Sequence, residues 1–361
     1  MKPRALIHGY FGMGNVGDEA ILTVIIRELK SRGFEPIVLS ANPKRTMKLH
    51  GVSSCPDKLS SFRFWKALLK SSLLVFAGGG KYGEKTMRRL CFLTILTKIL
   101  GKRVEFRAIG IYPYEWVGLP IAMDKPKPFN DWSTRIMLKI AFTLADKVTV
   151  RDTFSKYTLM LSDVPREVEI EEDLAFKLEP IDDESALRIL SHHGVDLSRK
   201  LVVGVNLRTL DLRTRSKIVK VLSEVLDWLI EHDAEVIFIP FGYGSTSGRF
   251  FDNDLIVASE LKNRMSYGYK PKIIDVEYKP REILGLFRFL NLFIGMRYHS
   301  IIFSAMMRIP TVALIYDTKT VELLKGKRYR HCCFPISING LNANKLKKAV
   351  EAIIGQKLEE R

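Results

Sequence analysis

The chain has 361 residues, 47% hydrophobic and 27% charged, which excludes a disordered or fibrous protein and suits two domain-sized cores. A formal net charge of +17 favours an anionic partner: a phosphorylated substrate, an anionic membrane surface or a nucleic acid. The four cysteines (Cys55, Cys91, Cys332, Cys333) have neither disulfide-framework nor metal-ligand spacing, so a reducing compartment and no metal are expected, with Cys332-Cys333 either a redox pair or two ordinary thiols.

Met1-Lys2-Pro3-Arg4 leads straight into a strand-like run at 5–8, so no signal peptide is expected. Further short apolar runs follow at 36–39, 73–76, 104–109 and 147–150, with helical patterns at 19–31, 86–100 and 132–145. Continuous apolar runs of this kind read as buried parallel strands, and their alternation with helices reads as βα units. A polar break at Glu179-Pro180-Ile181-Asp182-Asp183-Glu184 opens a new helix, and the pattern restarts. Strands are predicted at 201–205, 235–239, 272–274, 292–294 and 311–315, and helices at 215–232, 253–265, 280–289, around 304 and at 343–354. The fold class is therefore α/β, with two Rossmann-like domains, 1–179 and 180–361, facing across a cleft. The last helix could cap either one. No apolar stretch is long enough to span a bilayer, and a cytoplasmic location is expected, with room for peripheral contact at the inner membrane face.

Ligands bind such sheets at the carboxyl ends of the strands, so polar residues there are the functional candidates. The first group is Gly9-Tyr10-Phe11-Gly12-Met13-Gly14-Asn15-Val16-Gly17-Asp18-Glu19. Its spacing is wrong for a nucleotide fingerprint, and acidic residues in a first helical turn repel phosphate. Asn15, Asp18 and Glu19 could instead recognise a sugar acceptor, or the loop could be a structural turn. The second is Ala77-Gly78-Gly79-Gly80-Lys81, where glycines let the backbone approach a ligand and Lys81 could meet an anion. The third is Arg151, which could grip a carboxylate or phosphate in two-pronged fashion or be neutralised by Asp152. Glu172 and Asp173 close the next strand as a base or as loop carboxylates. The fourth is Phe293-Ile294-Gly295-Met296-Arg297-Tyr298-His299-Ser300. Residues i and i+2 of an extended segment share a side, so Arg297 could hold an anion whose proton His299 handles. Lys319, in Tyr316-Asp317-Thr318-Lys319, could add charge. Denser basic clusters lie at 85–107 and 319–330, but no nucleic-acid module is present, so nucleic acid is disfavoured.

The ordered segments 9–22, 75–80, 150–155 and 295–319 together resemble the polysaccharide pyruvyl transferase family. The resemblance implies a fold like that of GT-B glycosyltransferases. It implies transfer of pyruvate from phosphoenolpyruvate, as donor substrate rather than cofactor, to two hydroxyls of a cell-envelope glycan or lipid-linked sugar, giving a ketal. It further implies that Arg151 and Arg297 hold the donor and that His299 is the general acid/base; Lys319, from its own strand-end position, is a further donor-binding candidate. The first domain, with Arg151, would be the acceptor side. The sequence departs from the family pattern at Lys81-Tyr82 and at Ile111-Tyr112-Pro113-Tyr114-Glu115-Trp116, which leaves the acceptor open. Two other readings stand beside it: a nucleotide-sugar glycosyltransferase of the same fold, with Glu322 as a ribose-binding candidate, and a non-catalytic glycan- or nucleic-acid-binding protein.

Overall fold

The computed structural model describes residues 2–79, 83–113, 125–244, 253–329 and 331–359, with side chains as far as 355. The chain divides into two compact units at Leu178/Glu179, except that the loop Gly14–Gly17 groups with the second.

The first unit carries strands β1 (Arg4–His8), β2 (Glu35–Ser40), β3 (Ser53–Pro56), β4 (Leu73–Ala77), β5 (Arg103–Ile109), β6 (Lys147–Val150) and β7 (Glu169–Ile170). Its helices are α1 (Val16–Ser31), α2 (Pro43–His50), α3 (Phe62–Lys70), α4 (Glu84–Ile99), α5 (Trp132–Leu144) and α6 (Thr153–Leu161). The strands form one sheet in the order β3-β2-β1-β4-β5-β6-β7, every pair parallel.

The second unit carries β8 (Leu201–Asn206), β9 (Ala234–Phe238), β10 (Lys272–Ile273), β11 (Leu292–Gly295), β12 (Thr311–Ile315) and β13 (Cys333–Ser337). With them come α7 (Asp183–His192), α8 (Leu212–Glu231), α9 (Asp254–Arg264), α10 (Pro280–Leu286), α11 (Tyr298–Met306), α12 (Thr318–Leu324) and α13 (Ala343–Glu359). The sheet order is β10-β9-β8-β11-β12-β13, again all parallel. Each unit is thus a doubly wound sheet whose order reverses once, between β1 and β4 and between β8 and β11.

The central strands follow from their apolar runs: all five residues of β4 are buried, as are all four of β11. In the first unit Phe76, Phe106 and Phe142 stack in series, with ring centroids 4.7 and 4.6 Å apart, joining two strands to α5. Aspartates immediately after loops or strands start several helices: Asp131, Asp152, Asp182, Asp211 and Asp317 each accept a backbone N–H from the first turn. The edge strands β3 and β13 are absent from the sequence reading because Pro56 and Pro335 interrupt their runs; proline is tolerated at a sheet edge, where its missing N–H costs no ladder bond. Cys332 and Cys333 are free thiols with sulfurs 3.7 Å apart.

One ionic network ties the first unit together. Arg107 of β5 is buried and donates to Glu171 at 2.7 and 3.0 Å and to Glu28 of α1 at 3.0 Å, while Thr149 of β6 donates to Glu171 at 2.6 Å. Burial by itself pushes the Glu171 carboxyl up, but the hydrogen bonds from Arg107 and Thr149 and the charge of Arg107 outweigh it and hold the group at about 2. A depressed carboxylate pKa stabilises the fold above the ordinary value of 4.5 and loses that contribution as pH falls from there toward 2. Urea-unfolding midpoints across that range should therefore fall steeply, with Glu171 contributing on the order of 2–3 kcal/mol. In Glu171→Gln the slope should flatten; an unchanged slope would remove this network from acid stability.

Candidate active site

In the second unit, the ends of the two strands at the reversal point are joined by a buried polar cluster. Asn206, the last residue of β8, accepts the Arg297 backbone N–H through its side-chain oxygen at 3.1 Å. Its amide nitrogen donates to the Ile239 carbonyl at 3.1 Å and to Asp254 at 3.3 Å. Asp254, the first residue of α9, receives the Arg297 Nε at 3.0 and 3.1 Å, the Arg297 Nη2 at 2.6 Å and the Phe241 N–H at 3.0 Å. Arg297 is 5% exposed and Asp254 2%, so this is a buried, charge-assisted pair, the geometry in which a carboxylate and a guanidinium compensate each other's desolvation.

Arg297 caps α11 in an extended conformation (φ −73°, ψ 136°), and the helix begins at Tyr298. The expectation that Arg297 and His299 share one side of an extended segment therefore does not describe this backbone, because His299 already lies in the first helical turn. Its imidazole is buried and sits against the loop 14–17: a Cβ on Gly17 would lie 2.0 Å from the His299 Nδ1. That loop is held in the second unit by Val16 N–H donating to the Phe241 carbonyl (3.0 Å), by Tyr243 N–H donating to the Gly14 carbonyl (2.9 Å), and by an Asn15–Gly242 bridge. Phe241 also donates to Asp254, so the glycine loop, His299 and Arg297 share one framework.

Two more cations stand at the neighbouring strand ends. Arg208, two residues past β8, donates to the Tyr316 hydroxyl at 3.0 Å and lies 5.7 Å from its ring, while its own N–H meets the Met296 sulfur at 3.4 Å. Lys319 of α12 lies 3.6 Å from Asp317 and 5.5 Å from the Tyr298 ring. Arg208, Asn206 and Asp254 were not singled out from the sequence. The signal for the first two was available, since both follow the run Leu201-Val202-Val203-Gly204-Val205 as Arg297 follows its own; Asp254 reads only as a helix start. Glu322, the ribose-binding candidate, pairs with Lys325 on α12.

Of the remaining candidates, Asn15 lies in the loop Gly14–Gly17 that groups with the second unit, and the others belong to the first. Glu19 is 2% exposed, with one oxygen accepting the Gly12 N–H at 2.7 Å and the other 2.7 Å from the His50 Nε2, so it braces the loop. Asp18 is buried in the first turn of α1, and the Asn15 side chain accepts the Gly17 N–H at 3.1 Å. Gly78 and Gly79 have φ of 57° and 78°, and a Cβ at Gly78 would lie 2.5 Å from Ile21, so conformation and packing both require glycine there. They pair with the bulged end of β5, where Gly78 N–H meets the Arg107 carbonyl and Gly110 N–H the Gly79 carbonyl. Gly80, Lys81, Tyr114, Glu115 and Trp116 lie outside the described residues. Arg151 is buried 3.4 Å from both Asp152 and Asp173, with its guanidinium 6.0 Å from the Tyr112 ring. Asp173 also caps the 3-10 turn that follows it, accepting the Ala175 N–H at 3.0 Å. His8 ends β1 with its Nε2 3.4 Å from Asp57, which Arg89 also holds; burial pushes the Asp57 carboxyl up, but His8 and Arg89 bring it below its ordinary range.

Two doubly wound parallel sheets, with polar clusters at the carboxyl ends of their strands, define the GT-B class of fold. Solved structures agree over nearly the whole chain. The UDP-GlcNAc 2-epimerase of Methanocaldococcus jannaschii is similar with a TM-score of 0.60 at 14% identity, covering 97% of this chain and 92% of its own. The E. coli ADP-heptose LPS heptosyltransferase II aligns with a TM-score of 0.55 at 11% identity, covering 98% and 99%, and S. aureus MnaA, solved with UDP, with 0.60 at 11%, covering 98% and 88%. No curated protein matches the chain by sequence. The family model for polysaccharide pyruvyl transferase matches residues 15–318, and the chain belongs to that family of transferases.

Removing the charge of Asp254 would leave the Arg297 guanidinium buried without its counter-ion. Asp254→Asn should cost about 3–5 kcal/mol in urea unfolding, as breaking a buried pair does, whereas Glu322→Gln, with its partner Lys325 exposed, should stay within about 1 kcal/mol. Equal costs would show that the Arg297–Asp254 pair does not organise this end of the sheet.

Proposed function

We propose that this protein transfers pyruvate from phosphoenolpyruvate to two hydroxyls of a cell-envelope glycan or its lipid-linked precursor, closing a pyruvate ketal. The observation that carries the reading is the gathering of Arg208, Arg297, His299 and Lys319 at the ends of β8, β11 and β12, in a chain of the pyruvyl transferase family. Phosphoenolpyruvate bears a carboxylate and a phosphate, and a group of cations at strand ends suits both. In this reading one acceptor hydroxyl adds to the donor's central carbon while the methylene carbon takes up a proton and becomes a methyl group. The second hydroxyl then displaces phosphate, which takes up that second hydroxyl's own proton, the first hydroxyl's proton having balanced the one gained by the methyl group. His299 is the group assigned to carry protons between these atoms, since imidazole gives and takes them near neutrality. Asp254 is a positioning residue, orienting Arg297 from behind.

Thermal unfolding with phosphoenolpyruvate, phosphate, pyruvate and UDP tests the donor; UDP is included because the names of several structural neighbours refer to UDP or UDP-sugars. Phosphoenolpyruvate at about a hundred times its Kd should add roughly 2.7 kcal/mol, or several degrees. Arg297→Lys keeps a charge for Asp254 but loses the planar fork, and should abolish most of that shift. His299→Ala should keep the shift while turnover falls roughly 10²–10⁴-fold. A shift with UDP alone would overturn the reading in favour of nucleotide-sugar transfer.

A further inference from the structure

Helix α5 is apolar on both sides. Thr134, Leu138, Ala141 and Phe142 are buried, and the last three belong to the core of the first unit, as a helix laid on a sheet requires. Its outward positions are Trp132, Ile136, Ile140 and Leu144, which are 69%, 45%, 44% and 40% exposed. Residues four apart lie on one face, so these form a single ridge along the helix. A water-facing helix surface ordinarily carries charge there. Here Arg135 and Lys139 sit on the flank, sharing the Asp163 carboxylate at 3.7 and 3.6 Å.

The ridge has neighbours of the same character. Arg88 of α4 reaches the Thr134 hydroxyl at 2.6 Å and pairs with Asp131, and Lys98 holds Asp146 at 3.0 Å, so α4 and α5 run side by side in the same direction. Phe92 and Ile99 of α4 are 46% and 76% exposed. Lys102, just past α4, donates to the Leu68 carbonyl at 2.7 Å and ties in the end of α3. That helix exposes Phe62 and Leu69 among Arg63, Lys66 and Lys70. All three helices cover the same face of the sheet, because their crossovers run in the same direction across it. Between residues 58 and 161 there are 19 Lys and Arg against 7 Asp and Glu, so most of the chain's +17 lies in this stretch.

We propose that the α3–α4–α5 face is a docking surface for an anionic lipid bilayer, with the apolar ridge entering the interface and the flanking cations meeting the headgroups. Apolar burial combined with basic residues is the chemistry by which a helix lies in a membrane surface. No helix of the described residues is long and apolar enough to cross a membrane, so the contact is lateral. Charge argues against a second copy of the chain as occupant, since an isologous contact would set this basic face against itself. The inference is independent of the reaction proposed above.

Flotation of the full chain with phosphatidylcholine vesicles containing 30% phosphatidylglycerol tests it. The protein should float with these vesicles, remain below with phosphatidylcholine alone, and be released as salt is raised. Trp132→Ser with Ile136→Asn and Ile140→Gln, all at exposed positions, should lose flotation at least tenfold while thermal unfolding stays close to the parent's. Arg63→Gln, Lys66→Gln and Lys70→Gln together should weaken it by roughly fivefold per charge, on the order of a hundredfold in all. Undiminished flotation of the ridge variant would overturn the proposal, as would absence of the parent from the anionic vesicles. A parent that is dimeric by light scattering and a ridge variant that is monomeric would overturn it by assigning the face to a second copy.

Discussion

The buried pair of Arg297 and Asp254 is the constraint around which the second unit's polar end is arranged. An unpaired guanidinium at 5% exposure is too costly to keep, so its position is dictated by the carboxylate that neutralises it. Asp254 in turn is fixed at the start of α9 by the Phe241 N–H and the Asn206 amide, and Asn206 also receives the Arg297 backbone. Four polar groups from three separate stretches of chain thereby satisfy one another. The reversal of strand order between β8 and β11 makes this possible, because there the helices leave the sheet on opposite faces and expose the strand ends.

Glycine is required for two physical reasons, backbone conformation and close packing, in the two loops richest in it. At Gly78 and Gly79 the backbone itself is left-handed, and the turn hydrogen-bonds to the bulge in β5. At Gly17 the reason is proximity: any side chain would occupy the space taken by the His299 ring. A histidine packed this closely has little room for alternative rotamers, as the proton-transferring role proposed for it would require. Glu19 completes the loop's support through Gly12 and His50, so an acidic residue that resembles a ligand contact acts as an internal strut.

The first unit shows why a net charge is a poor guide until it is placed. Arg107, Arg151 and Arg89 are absorbed by carboxylates around the sheet, and they contribute to structure rather than to any surface field. Arg63, Lys66 and Lys70 of α3, by contrast, are exposed beside the exposed Phe62 and Leu69. Burial converts one class of basic residue into local ion pairs, while exposure leaves the other available to an external anionic phase.

Much of the architecture was legible in the sequence. Central strands such as β4 and β12 are continuous apolar runs because both of their faces are covered, and the helices between them follow from periodicity and aspartate caps. The edge strands β3 and β13 were not legible, since half-covered, proline-containing segments carry no such run. The strand-end rule also marked Arg297, His299 and Lys319 as candidates, because position at a strand end is a local property. What the local pattern does not contain is the partner of each side chain. Asp254 is 43 residues from Arg297, and Gly17 lies in a different part of the chain from His299. Nor does helical periodicity say which apolar stripe of α5 meets the core and which meets water. Those choices depend on close packing and charge compensation between segments distant in sequence, so only the tertiary structure decides them.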